Sequence, residues 1–85
     1  MITRESVIIN TTGWTKVQDQ AGYCQLSKGR IYFAFTEQDQ EPDNNVTGNY
    51  ATGNSSFARI EVPNNQYLWA RIPAPGYYAE LIPNY

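Results

Sequence analysis

The apolar runs of this 85-residue chain are short, and most alternate residue by residue with polar ones. Cys24 and Leu26 stand opposite Gln25. Ile31, Phe33 and Phe35 share one side of residues 31–35. Ala58, Ile60 and Val62 oppose Arg59 and Glu61, and Leu68, Ala70 and Ile72 oppose Tyr67, Trp69 and Arg71. A period of two is the period of a β-strand with one face turned inward. No stretch sustains an i, i+3, i+4, i+7 apolar stripe over three turns, as a packed helix requires. Composition agrees: Val, Ile, Thr, Tyr, Phe and Trp total 30 residues, against 17 for Ala, Leu, Glu and Lys.

The alternation predicts strands over 6–10, 14–18, 23–27, 31–35, 57–62, 66–72 and 77–82. Turn residues separate them. Gly29 in Lys28-Gly29-Arg30 is free to take positive φ in a tight link, and Pro83 is expected to stop the last strand. Seven short strands so closely spaced leave no room for parallel crossovers. The expected fold is therefore all-β: one domain over 1–85, a small antiparallel β-sandwich or barrel of about seven strands. Its one long interruption, 36–56, is a polar loop rich in Gln, Asn, Asp and Gly. It is expected to be mobile unless something pins it, with an edge strand near Asn49-Tyr50-Ala51.

The expected core is Ile31, Phe33, Phe35, Ile60, Leu68 and Leu81. A domain of this size buries only about 60–65% of the surface its unfolded chain exposes. Small domains commonly add disulfides, metals or partners. One cysteine closes no internal disulfide, and with no histidine there is no zinc-ligand cluster. Oligomerisation or docking on a larger assembly is the remaining source of burial.

Several chemistries are disfavoured on residue type alone. The absence of histidine removes the commonest general base. Cys24 lies on an apolar face with nothing nearby in sequence to activate it. Any chain with eight carboxylates offers candidate acid pairs, so none is specific. No enzyme activity and no cofactor are expected. Glu37, Asp39, Glu41 and Asp43 alternate and could gather a calcium ion, but Asn44 and Tyr50 stand where a calcium-binding loop of the EF-hand type needs Gly and Glu. A solvated acidic loop is the better reading, and no metal site is assigned. The six basic residues are dispersed, which argues against nucleic acid. No run approaches the ~20 apolar residues of a membrane span. Residues 1–10 do not read as a secretory leader, so synthesis and retention in the cytoplasm are expected. The Asn-x-Ser/Thr matches at Asn10, Asn45 and Asn54 read as chance in an Asn-rich chain.

The aromatics carry more information. Twelve residues are aromatic, more than so small a core accommodates. Tyr67, Trp69 and Arg71 share the face opposite Leu68, Ala70 and Ile72, and Tyr, Trp and Arg are the residues enriched at protein interfaces. The candidate interface residues are Tyr67, Trp69 and Arg71, with Tyr50 and Tyr85. The same trio on residues 67–71 could instead stack on a sugar ring.

Three stretches occur in a suggestive order: Trp14-Thr15-Lys16-Val17, then Ile31-Tyr32-Phe33-Ala34-Phe35 leading into a polar loop with Pro42, then Leu68-Trp69-Ala70-Arg71. In this the chain resembles the small β-structured virion proteins of tailed bacteriophages, the head-decoration and tail-associated modules. It departs from them in a longer, more acidic loop after Phe35. The resemblance implies a non-enzymatic structural protein of the virion, made in the cytoplasm of the host cell. A capsid decoration or cement protein bridging capsid subunits is the leading expectation. Its expected partners are copies of itself, as dimer or trimer, and the major capsid protein or other virion proteins. A tail, fibre or baseplate component is the alternative within that class, and a carbohydrate-binding module for host attachment is the alternative outside it.

Overall fold

The structure is a computed structural model describing residues 1–53 and 58–85. Its strands are β1 (Val7–Ile9), β2 (Thr15–Gln18), β3 (Gly22–Thr36), β4 (Asn49–Thr52), β5 (Ala58–Val62), β6 (Tyr67–Arg71) and β7 (Ala79–Asn84). Every pairing is antiparallel, and no helix occurs among the described residues.

β3 organises the rest. Its first half pairs with β5 and β7, so Cys24 lies between Ile60 and Pro83. Its second half pairs with β4 and β6, so Phe33 lies between Asn49 and Ala70. The Gly53 amide donates to the Gly29 carbonyl at 2.9 Å, continuing the β4 register on the edge away from β7. β4 and β5 therefore occupy one edge of β3, and β6 and β7 the other. β1 adds to β7 and β2 to β6. Four lanes result, of which only β3 runs through unbroken. The others divide at the same level, giving sheets β1-β7-β3-β5 and β2-β6-β3-β4 that enclose one core in a nearly closed, barrel-like sandwich.

One inserted residue makes this possible. Leu26 and Ile31 are five apart, an odd number, so in a regular strand they would face opposite ways. Both are fully buried in the same core. The β3–β7 register shifts between Leu26 and Lys28, and Gly29 adopts φ 88°. This bulge restores the inward face after the bend and lets one strand serve two sheets.

The seven-strand expectation holds, with its elements redistributed. Residues 23–27 and 31–35 form one strand, because the two arms pair with other strands and not with each other. β4 makes up the number; it is the edge strand expected near Asn49-Tyr50-Ala51, inside the long segment 36–56. The last strand is displaced to Ala79–Asn84 and includes Pro83. The Pro83 carbonyl accepts from the Arg4 amide at 2.8 Å. N–H and C=O of one strand residue point to the same side, so the missing proline donor faces the irregular N-terminal segment and spares the β3 ladder. Asn54 and Phe57, parts of the sequence-based reading, lie outside the described residues.

Ile31, Ile60, Leu68 and Leu81 are buried as expected. Phe33 and Phe35 are half-buried and pack edge-to-face at 6.0 Å beside the core. Ile9, Leu26 and Ile72 fill the interior instead. Gln18 is a buried polar residue that the alternation did not flag. Its Nε2 donates to the Gln20 carbonyl at 2.9 Å, fixing the turn into β3.

Cys24 is fully buried, and desolvation of the thiolate pushes its thiol up to about 12. Two outcomes are expected. An aromatic disulfide reagent at pH 8 should label the native protein only as fast as it opens, and denatured protein at once. Stability should also fall as pH rises from about 9 towards 12. In that window the unfolded thiol ionises and the folded one stays protonated. Rapid native labelling would place Cys24 at the surface.

Candidate functional site

Alternation along β6 sends Leu68 and Ala70 inward and Tyr67, Trp69 and Arg71 to the outer face of the second sheet. The registers extend that face sideways. Trp69 stands opposite Lys16 on β2 and Ala34 on β3. Arg71 stands opposite Tyr32, which in turn stands opposite Tyr50 on β4. Arg30 and Thr52 form the next row.

Part of this face is occupied by the chain itself. Residues 37–48 fold back over it. Arg71 donates through Nη2 to the Val46 carbonyl at 2.6 Å and through Nη1 to the Asn44 carbonyl at 3.3 Å. Its guanidinium also lies 4.4 Å from the centre of the Trp14 ring, within reach of a cation–π attraction. The Trp14 indole N–H donates to the Asp43 carbonyl at 3.3 Å. Lys16 holds Asp39 at 2.9 Å, and that hydrogen bond raises the lysine above its ordinary value. Trp69 donates to Thr36 Oγ1 at 2.8 Å, and Thr36 donates to the Gln38 carbonyl at 2.7 Å. The two tryptophans are accordingly 7% and 8% exposed, Trp14 and Trp69 respectively.

Beyond the loop the face opens onto tyrosines. Tyr50 is 52% exposed and meets half-buried Tyr32 edge-on, their rings 5.7 Å apart. Arg30, two residues before Tyr32 on the same face, places its guanidinium 5.9 Å from the ring of exposed Tyr77. Arg30, Tyr32 and Tyr50 on the sheet and Tyr77 on the segment before β7 thus form a patch of aromatic and cationic groups.

The structure brings Tyr67, Trp69, Arg71 and Tyr50 to one face. Tyr67 is half-buried, its ring centre 5.7 Å from the Lys16 ammonium. Tyr85 is elsewhere, beyond the end of β7. There it stacks on Arg4 at 4.3 Å and exchanges backbone hydrogen bonds with Ile2. Tyr32 and Tyr77 belong to the aromatics in excess of the core, but neither they nor Arg30 are among the candidate interface residues of the sequence. The alternation of Arg30, Tyr32 and Ala34 against Ile31, Phe33 and Phe35 carried the signal for Arg30 and Tyr32.

Two shallow surface depressions, of about 350 and 380 Å³, are lined by polar loop residues such as Gln38 and Glu41 in one and Asp19, Asn64 and Asn65 in the other. Among the described residues, no three His, Cys, Asp or Glu side chains gather to hold a metal ion.

The loop should respond to its clamp. Arg71→Ala removes two hydrogen bonds to carbonyls of 37–48 and the contact with Trp14. A glutamate-specific protease should then cut after Glu37 several-fold faster, with little change in melting temperature. Unchanged cleavage would mean that the loop is held by other contacts.

Scans against protein-family models, curated proteins and solved structures found no match.

Proposed function

We propose that this chain is a non-enzymatic structural protein that docks on a larger assembly through the tyrosine–arginine patch of its second sheet. Following the sequence resemblance, that assembly is a bacteriophage virion and the chain is a decoration protein bridging capsid subunits. Its partners are then the major capsid protein and copies of itself. The observation that carries the docking reading is exposed Tyr50 packed edge-on against half-buried Tyr32, flanked by Arg30 and exposed Tyr77. Rigid tyrosines beside arginines supply large contact area at low entropic cost. A protein surface suits the patch better than a sugar does, because the strongest sugar-stacking groups, Trp14 and Trp69, are buried within the chain's own fold.

The test is the composition of purified particles. Virions from the genome encoding this chain should contain it in many copies, and particles lacking its gene should regain it from purified protein. Its absence from particles, together with binding on a glycan array, would replace this reading with the carbohydrate-binding one.

A further inference from the structure

We infer that β5 is a self-pairing edge through which two copies join about a two-fold axis at Ile60. This deepens the homo-oligomer part of the proposed function by naming its surface and register. It uses neither the tyrosine patch nor the identity of the particle.

The fold leaves the outer edge of β5 without a strand neighbour among the described residues, since β5 pairs only with β3. Other edges are less suited. β1 offers three residues, and the register of β2 is irregular at Lys16/Gln18. β4 has four residues and no charged side chain. β5 presents five residues in unbroken register with β3, and such an edge is a ready template for another strand.

Its sequence names the occupant. Ala58-Arg59-Ile60-Glu61-Val62 is antisymmetric in charge about Ile60. Antiparallel pairing of two copies centred on Ile60 sets Arg59 opposite Glu61 of the second copy, and Glu61 opposite its Arg59. Both side chains lie on the outer face, 57% and 72% exposed, and already approach each other within one chain at 3.1 Å. Tyr23, 3.8 Å from Arg59, holds that guanidinium at the sheet surface. On the inner face, Ile60 meets its own copy and Val62 meets Ala58, so the two cores become continuous. The two four-stranded sheets merge into one of eight strands. This is the isologous contact that a two-fold dimer requires, and opposite charges facing across strands are favourable.

Charged residues on an edge can also serve to repel other strands. The two roles predict opposite results. Sedimentation velocity of wild-type protein should show a dimer in the micromolar range. Arg59→Glu makes both positions acidic, and Glu61→Arg makes both basic. Each variant alone should dimerise at least about tenfold more weakly, from two mismatched pairs of cross-strand charges. An equimolar mixture of the two should recover the dimer, because acidic and basic edges then face each other in the same register. Recovery on mixing also demonstrates that both variants fold. A monomeric wild type, variants that dimerise normally, or a mixture that stays monomeric would each overturn the assignment. Particle occupancy is a separate readout, so failure here leaves the docking reading standing.

Discussion

Gly29→Ala is expected to lower the melting temperature by about 15 °C or more, or to prevent folding. Gly29 sits at φ 88°, where an L side chain costs about 1–2 kcal/mol. A Cβ there would also run into the Tyr78 carbonyl and come within 2.9 Å of the Ala79 Cα. Those atoms are backbone, so relief requires β7 to move away from the bend of β3. The combined penalty is on the order of 3 kcal/mol, and each kcal/mol shifts the melting temperature of a domain this size by about 4–8 °C. Gly76 supplies the control. It has φ 93° but nothing within 4 Å of an added Cβ, so Gly76→Ala should show the conformational cost alone. Equal losses in the two variants would refute the close approach of β3 and β7.

Leu26→Ala and Leu81→Ala are each expected to cost about 2–5 kcal/mol. Both leucines are fully buried, and they face each other across β3 and β7. A domain of this length has only about 4–13 kcal/mol to lose. The two substitutions share one cavity, so the double variant should lose measurably more or less than the sum of the singles. Phe33→Ala, at a half-buried position beside the core, should cost less than either. Urea denaturation followed by tryptophan fluorescence gives all four values. A larger loss for Phe33 than for Leu26 would mean that the inward faces are misassigned.

That reordering shows what the sequence discloses and what it withholds. Period-two alternation identified the inward residues of β5 and β6 correctly, because it depends only on local pleating. It could not tell whether Lys28-Gly29-Arg30 closes a hairpin or bulges a continuous strand. Both uses need a residue free to take positive φ, and only the partners of the two arms decide between them. Nor does alternation report whether an outer face is covered. Trp69 was placed on the correct face, but its burial accompanies a loop 37–48 held down by Arg71 and Trp14 through hydrogen bonds to carbonyls about 25–30 residues away in sequence. Backbone carbonyls carry no residue identity, so such contacts leave no trace in composition. The exposed patch was half legible. Tyr50 and Tyr77 both count as surplus aromatics, but only Tyr50 was a candidate interface residue; Tyr77 joins the patch because a turn returns it to Arg30.

The docking surface is tested most directly by Tyr50→Ala. Tyr50 is exposed and outside the core, so the variant should melt within a few degrees of wild type. In reconstitution with particles lacking the chain, it should bind on the order of thirtyfold more weakly, the effect of removing an aromatic anchor worth about 2 kcal/mol. Normal occupancy by a Tyr50→Ala protein, with Arg30→Ala and Tyr77→Ala equally silent, would contradict the assignment of this face as the docking surface.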